Sequence, residues 1–347
     1  MEKVFYTKKV FIIVTIISFI FIACKTGIPQ LENPIDPPPA VIPETPFKTL
    51  NYLYKISGKK TISGIHNREP NSAPTKWTEE IKNTTGKYPG LWSGDFLFQQ
   101  DNINNRQIMI DEALKQWKKG SVVNIMWHAC NPALSQPCGW DDGKGVLSSL
   151  SDAQWTELIT DGTVLNNRWK AMMDEVSVYL KFLKDNEVEV LWRPLHEMNQ
   201  GKFWWGGRPG PNGTRKLYQI MHDYMKNAKG LSNLIWVWDM QDFGTLASDV
   251  NVYNPGKDYW DMAALDVYDG SGYTFNKYKI MVDVAAGKPI AIGECEKLPT
   301  AQQLLEQPKW TFFMGWSELV FEKNSSKEIS DLINASNVLT LDELPGW

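Results

Sequence analysis

Short apolar runs alternate with amphipathic stretches along the chain. Eight runs are rich in β-branched and aromatic residues, and they cover residues 61–66, 88–96, 121–129, 188–197, 233–239, 262–268, 289–294 and 310–318. In the stretches between them, apolar residues recur every three to four positions, for example over 106–119, 168–185, 214–228 and 276–286. The runs predict buried strands and the stretches predict helices, so the pattern indicates repeated βα units.

Eight βα units favour an α/β fold in which a parallel sheet closes into a (β/α)₈ TIM barrel. A doubly wound open sheet is the alternative, but no G-x-G-x-x-G segment or P-loop follows an early strand. The chain has 347 residues, of which 43% are hydrophobic and 22% charged, a balance typical of a globular domain. We therefore predict one barrel domain over residues 47–347.

The first 46 residues differ from the rest. Three lysines precede an apolar run over 10–23, which has the length of a signal-peptide core and is short for a membrane span. The run ends just before Cys24 in a segment that resembles a bacterial lipobox. We expect residues 1–24 to be a lipoprotein signal peptide, with an ordinary signal peptide as the alternative. Residues 25–46 contain seven prolines and are predicted to be a semi-rigid linker.

These features predict an exported protein that reaches a bacterial membrane only through lipid on Cys24. No acidic run follows Cys24, which favours the periplasmic face of the outer membrane over the cell surface. The net charge of -4 and the lack of a lysine or arginine run argue against a nucleic-acid partner. We expect a monomer.

Three cysteines follow Cys24 in the predicted domain. Cys130 and Cys138 lie in the longest strand-to-helix loop, and export permits disulfides, so we expect a bridge that clamps this loop. Cys295 is then left as a buried free thiol. The same loop carries Trp140 and Trp155, which could form a wall of a cleft.

Polar and aromatic residues collect at the carboxyl ends of the predicted strands. They are His66, Asp95, Trp127, His128, His196, Glu197, Asp239, Asp266, Tyr268, Glu294, Trp316 and Glu318. The carboxyl-terminal face of a (β/α)₈ barrel is where active sites are built, so this distribution predicts a site there.

Two carboxylates in this set end apolar strands, where they are costly unless they are paired or face a cleft. Glu197 closes the fourth predicted strand and Glu294 closes the seventh. Both strand tips open into the same barrel mouth. Hydrolysis of a glycosidic bond needs such a pair, with one carboxyl protonated and the other ionised.

The segments around these glutamates resemble glycoside hydrolase family 26. LWRPLHEMNQGKFWWGG over 191–207 is similar to its acid/base motif, and PIAIGECE over 289–296 is similar to its nucleophile strand. WSGDF, NIMWHA, WVWD and LDVYDG also fit the family in order, and the resemblance covers roughly 50–347. It implies a (β/α)₈ barrel and a retaining mechanism. Most members are endo-β-1,4-mannanases, and minorities act on β-1,3:1,4-glucan or β-1,3-xylan.

The resemblance also implies roles for residues at the two motifs. Glu197 matches the acid/base and Glu294 the nucleophile. His196 is expected to hydrogen-bond near the sugar at the cleavage site or to orient the nucleophile, and the hydroxyl of Tyr268 to hold the nucleophile. Arg193 is expected inside the barrel, where a guanidinium can pair with several carboxylates.

Other residues match substrate-binding positions. His128 and Trp316 match the subsite of the sugar that is cleaved. Asp95 and Trp205 are weaker matches, with a supporting position behind the substrate-contacting residues as the alternative. Lys202 stands where the family often has an aromatic residue. The leaving-group side of the site is therefore expected to be less hydrophobic, which leaves the endo mode of action and the preferred substrate length open.

Two other classes of function are weighed against a glycosidase. A catalytic metal is not expected, because the four histidines form no H-E-x-x-H motif and no paired cysteine motif accompanies them. A non-catalytic glycan-binding lipoprotein would keep the sixteen tryptophans but not both glutamates. The sequence therefore predicts a β-mannan hydrolase that needs no cofactor.

Overall fold

Eight parallel strands form a closed barrel in the computed structural model, which describes residues 43–347. They are β1 (Thr61–His66), β2 (Leu91–Asp95), β3 (Val122–Trp127), β4 (Val190–Pro194), β5 (Leu234–Gln241), β6 (Met262–Val267), β7 (Ile290–Cys295) and β8 (Trp310–Gly315). Each strand pairs with the next along the chain, and β1 pairs with both β2 and β8. The predicted (β/α)₈ barrel is thereby confirmed.

Helices follow the strands and surround the barrel. They are α1 (Lys48–Ile56), α2 (Lys76–Thr85), α3 (Gln100–Asn104), α4 (Arg106–Lys118), α5 (Asp152–Ile159), α6 (Val164–Asp185), α7 (Thr214–Asp223), α8 (Leu246–Val252), α9 (Phe275–Ala285), α10 (Ala301–Glu306), α11 (Ser317–Lys323) and α12 (Ser326–Ile333). A π-helical turn over Tyr224–Ala228 extends α7, and a 3₁₀ turn covers Leu341–Glu343. A two-residue strand, β9 (Val338–Leu339), pairs with β1 and was not predicted. None of the helices in the described part of the chain is long and apolar enough to span a membrane.

The strands are buried along their whole length, as their continuous apolar runs require. One hydrophobic cluster, which includes Leu91, Val122 and Leu191, also takes in Leu50 and Leu53 of α1. A second cluster joins the strands to the surrounding helices, and most of the buried tryptophans belong to it. The tryptophan surplus therefore serves the core more than it serves a sugar-binding surface.

The predicted signal peptide, the predicted lipidation site Cys24 and nearly all of the predicted linker lie outside the described residues. The first helix of the barrel domain begins at Lys48.

Candidate active site

The chain leaves β4 through two residues with left-handed backbone conformations. Leu195 and Glu197 both have a φ of 49°, which turns the chain out of the strand at the barrel mouth. Such a conformation is uncommon for residues other than glycine, and strain of this kind collects at functional sites. The predicted strand over 188–197 accordingly stops at Pro194. Glu197 lies in this turn, at the carboxyl end of β4.

Glu197 and Glu294 face each other in this mouth. A carboxylate oxygen of Glu197 lies within 4.8 Å of one from Glu294, and both residues are 4% exposed. They line a cavity of about 620 Å³. The other described residues that line it are Arg68, Glu69, Leu97, Phe98, Gln99, His128, Trp140, His196, Lys202, Phe203, Gln241, Tyr268, Glu296, Trp316 and Leu319. The cavity contains most of the residues predicted for the site.

Two donors hold Glu294. The hydroxyl of Tyr268 donates to Oε2 at 3.0 Å, and Nη2 of Arg193 donates to Oε1. His196, which was expected to hold the nucleophile or the sugar, makes no hydrogen bond to Glu294 among the described contacts, and its Nδ1 is buried without a partner there. Arg193 takes the place that we had assigned to His196, because β4 lies close enough to β7 across the narrow barrel for the guanidinium to reach Glu294.

The guanidinium of Arg193 is the hub of a buried charge network. Its Nη1 also contacts Asp239 on β5 and, at 3.0 Å, Asp266 on β6. Burial raises the pKa of Asp239 to about 6 and raises that of Asp266 well above its usual range, against the opposing charge of Arg193. One guanidinium therefore holds three carboxyl groups.

A carboxylate cluster of this kind raises the question of a metal ion. Glu197, Asp266 and Glu294 each offer an oxygen within 4.8 Å of the others. Arg193 already contacts two of these three side chains. The guanidinium thus supplies the positive charge that such a cluster needs.

The surroundings of Glu197 differ from those of Glu294. Burial, and next the charge of Glu294, raise the pKa of Glu197 to about 8, while Lys202 and a hydrogen bond from Gln200 oppose the rise. Glu197 is therefore protonated at neutral pH. Glu294 instead accepts hydrogen bonds from Arg193 and Tyr268. The site thus pairs a proton donor with a carboxyl group whose two oxygens each face a donor.

Histidines surround the cavity beside these carboxyls. Nδ1 of His128 lies 2.5 Å from Oδ2 of Asp95. Burial alone would lower the pKa of His128, but Asp95 outweighs it and raises the pKa above its usual value. Burial and then the charge of His128 lower the pKa of His196 well below its usual value. The cavity is therefore lined by one imidazole that favours the charged form and one that stays neutral.

Asp95 and Trp205 do not line the cavity, in contrast to their predicted substrate-binding role. Asp95 is fully buried and anchors the ring and backbone of His128. Trp205 is fully buried as well, stacks on Phe203 at 4.5 Å and donates to the backbone oxygen of His196 at 2.9 Å. Both hold a cavity-lining histidine from behind. A position at a strand end or in a motif indicates that a residue lies near the site. It does not show whether the residue lines the cavity or supports a residue that does.

The amino-acid sequence of the chain matches known proteins over most of its length. The sequence pattern that describes Glycosyl hydrolase family 26 covers residues 42–343. The chain belongs to glycosyl hydrolase family 26. The chain is 31% identical over 319 residues to the mannan endo-1,4-beta-mannosidase of Thermothelomyces thermophilus, and the match covers 86% of this chain and 61% of that protein. It is 29% identical to mannan endo-1,4-beta-mannosidase A of Piromyces sp, with 91% of this chain and 51% of that protein covered.

Solved structures of family 26 proteins share the barrel. GH26A from Muricauda sp. MAR_2010_75 superposes with a TM-score of 0.78 at 34% identity, over 85% of this chain and 95% of that chain. A beta-mannanase from a symbiotic protist of the termite Reticulitermes speratus, solved with a gluco-manno-oligosaccharide, gives 0.74 at 26% identity, over 86% and 93%. The chain thus spans nearly all of these two structures, but only 61% and 51% of the two curated relatives above.

Aromatic rings form the wall of this family 26 cavity. Trp316 stacks on His66 with ring centres 4.4 Å apart, and Trp140 stacks on Phe98 at 6.2 Å. Phe203 packs edge-on to Trp140 at 5.9 Å. Trp316 and Trp140 were singled out from the sequence. Phe98 and Phe203 were not, although Phe98 follows a strand end and Phe203 lies within the acid/base motif.

A disulfide fixes part of this wall. Cys130 and Cys138 are bonded, and the backbone N–H of Cys138 donates to the carbonyl of Phe98 at 3.2 Å. Trp140 follows two residues later and is 40% exposed. Cys295 is a buried free thiol. The bridge therefore closes the loop next to Trp140, and the hydrogen bond from Cys138 ties this loop to the β2 loop that carries Phe98.

Removal of this disulfide should weaken substrate binding more than it weakens the fold. The loop it closes is short, so its loss should lower the free energy of unfolding by about 2–3 kcal/mol at most. For the double variant Cys130→Ala/Cys138→Ala we expect KM to rise by about three- to tenfold, the worth of one aromatic contact, with a smaller change in kcat. Trp140→Ala should give a similar KM. An unchanged KM in both variants would mean that neither the disulfide nor Trp140 contributes to substrate binding.

Proposed function

We propose that the protein is a retaining glycoside hydrolase that cleaves β-1,4-mannosidic bonds in mannan, glucomannan or galactomannan by double displacement. The observation that carries the proposal is the pair of carboxyls at the barrel mouth, which approach within 4.8 Å. Retaining enzymes separate their carboxyl groups by about 5–5.5 Å and inverting enzymes by about 6.5–9.5 Å. The short approach of Glu197 and Glu294 therefore favours the retaining geometry over the inverting one.

The proton on Glu197 and the hydrogen bonds to Glu294 support a role for each carboxyl. Glu197 carries a proton at neutral pH and can give it to the leaving oxygen as the glycosidic bond breaks. Glu294 is held by Tyr268 and Arg193, so it can attack the anomeric carbon as an anion. A glycosyl ester on Glu294 results. Water then attacks the same carbon, Glu197 takes a proton from it, and the bond to Glu294 breaks.

The aromatic and polar lining supports a carbohydrate as the substrate. Rings of Trp316, Trp140 and Phe203 offer faces and edges to sugar C–H groups, while His128 and Gln241 offer polar atoms to hydroxyls. The named activities of the relatives favour β-1,4-mannan among the polysaccharides. Export and lipid attachment through Cys24 are part of the proposal on the strength of the sequence.

A substrate panel tests the proposal. The protein is incubated with mannan, glucomannan, galactomannan, lichenan and β-1,3-xylan, and the products are sized over time. We expect hydrolysis of the three mannans, with the early product sizes giving the mode of action. Hydrolysis of lichenan or β-1,3-xylan in place of the mannans would reassign the substrate. Binding without hydrolysis of any of them would indicate a non-catalytic glycan-binding protein.

The rate should depend on pH through the proton on Glu197. The pKa of Glu197 is raised to about 8, so the acid form is lost as the pH rises through this value. We expect kcat/KM for a mannooligosaccharide to fall about tenfold per pH unit above about pH 8. Initial rates between about pH 6 and pH 10 measure this limb. A flat profile to pH 10 would contradict Glu197 as the acid.

A further inference from the structure

Lys202 contacts the proposed acid/base. Its Nζ lies 3.9 Å from Oε2 of Glu197, and the side chain of Lys202 is 46% exposed. Nζ also sits 5.0 Å from the ring centre of Phe203. The amide of Gln200 donates to the same oxygen of Glu197 at 3.4 Å. One oxygen of the carboxyl therefore faces an ammonium group and an amide N–H.

Charged and titratable groups face Glu197 from every neighbouring strand. They are Arg193 on β4, Asp239 on β5, Asp266 on β6, Tyr268 after β6, Glu294 on β7, and the neighbouring His196. Arg193 is bound to Asp239, Asp266 and Glu294. Among the described residues, Lys202 is the cationic side chain with a nitrogen within 4.0 Å of a Glu197 oxygen. The other charged neighbours of Glu197 are mostly carboxyl groups, which oppose its ionisation.

This arrangement matters most in the second half of the reaction. Once Glu197 has given its proton to the leaving oxygen, it is a buried anion and must wait for water. Glu294 is then an ester and carries no charge. Asp239 still opposes an anion at Glu197, whereas Lys202 and Gln200 stabilise it. Without a cation there, the carboxyl would take up a proton from solvent more readily, and a smaller fraction of it would be in the form that acts as a base.

We propose that Lys202 is a positioning residue that keeps Glu197 ionised between the two halves of the reaction. The inference rests on the proposed function. In the second half, the water oxygen bonds to the anomeric carbon, its proton passes to Glu197, and the electron pair of the broken ester bond returns to Glu294. Lys202 exchanges no proton in this scheme. Its ammonium stabilises the Glu197 anion until the proton of the reacting water neutralises that anion.

A titration of Glu197 tests the inference independently of turnover. The protein is labelled with glutamate that carries ¹³C in the side-chain carboxyl, and the Glu197 signal is identified by its loss in Glu197→Gln. We expect Lys202→Met to raise the midpoint of this signal by about one pH unit, at the low end for a neighbouring charge because the side chain is half-exposed. Lys202→Arg should leave the midpoint within a few tenths of a pH unit of its value in the unaltered protein.

Arg68→Met is the matched control. Arg68 also lines the cavity, but its guanidinium pairs with Glu69 and Glu318. Its loss removes a positive charge from the cavity without removing one from Glu197. An equal shift of the midpoint in Arg68→Met and Lys202→Met would mean that Lys202 acts only through the net charge of the cavity, and this too would contradict the inference. No shift in Lys202→Met would overturn the inference.

A dinitrophenyl β-mannobioside adds the kinetic readout. Its leaving group needs no proton, so ester formation should be fast in every variant. For Lys202→Met at pH 7 we expect an unchanged initial burst of dinitrophenol and a steady rate about tenfold lower, restored in Lys202→Arg. A steady rate equal to that of the unaltered enzyme would overturn the inference. An unaltered protein that is inactive on this substrate and on mannan would instead reject the proposed function.

Discussion

Replacement of Glu294 by alanine should abolish turnover on every substrate. The variant has no nucleophile, and loss of a nucleophile that acts together with its partners costs about 10⁴- to 10⁶-fold in kcat. Glu197→Ala should behave differently. It should lose about 10²- to 10⁴-fold on mannan, whose leaving sugar needs a proton, and far less in ester formation from a dinitrophenyl mannobioside.

The two variants are compared on both substrates, with circular dichroism spectra to establish that each is folded. The informative quantity is the ratio of the losses in kcat/KM on mannan and on the aryl glycoside. That ratio should be near one for Glu294→Ala and large for Glu197→Ala. An equal loss on both substrates in Glu197→Ala, or a larger loss on the aryl glycoside, would contradict the assigned roles.

Replacement of Arg193 by methionine should destabilise the whole barrel. The guanidinium is fully buried and contacts Asp239, Asp266 and Glu294. Removal of one partner from a buried ion pair leaves an uncompensated charge and costs about 3–5 kcal/mol. We expect a loss of this size in the free energy of unfolding at pH 7, measured by urea unfolding followed by tryptophan fluorescence.

The pH dependence of this loss identifies its cause. The pKa of Asp239 is raised to about 6 in the intact protein, and without Arg193 it would be higher still. Protonation at pH 5 therefore removes most of the uncompensated charge, and the loss in Arg193→Met should shrink as the pH falls from 7 to 5. Lys279→Met, which breaks an exposed pair with Asp283, should cost less than about 1 kcal/mol at either pH. A loss in Arg193→Met that does not change with pH would point to packing and not to charge.

The barrel could be predicted because its strands are buried on both faces and therefore read as continuous apolar runs. Strand ends were less certain. The predicted strand that contains Glu197 runs three residues past Pro194, but the left-handed conformation at Leu195 ends the strand. The turn that follows is as buried as the strand, so burial alone does not mark where the strand ends.

The two glutamates and Tyr268 could be found from their positions at strand ends and in motifs. The contact of Glu294 with Arg193 on β4 could not be found in this way, since it depends on the distance between β4 and β7 across the barrel. Arg193 was expected inside the barrel with several carboxylates, but its contact with Glu294 places it in the site. Because the sequence gives no distances, it could not show that Trp205 and Asp95 lie behind the histidines that line the cavity.

The stereochemistry of the first products tests the central claim most directly. A mannooligosaccharide is hydrolysed with a large amount of enzyme, and the anomeric protons of the products are followed by NMR before mutarotation proceeds. Two successive displacements at the anomeric carbon restore its configuration, so the β-anomer should appear first and the α-anomer only later. First appearance of the α-anomer would mean a single displacement and would contradict Glu294 as a nucleophile.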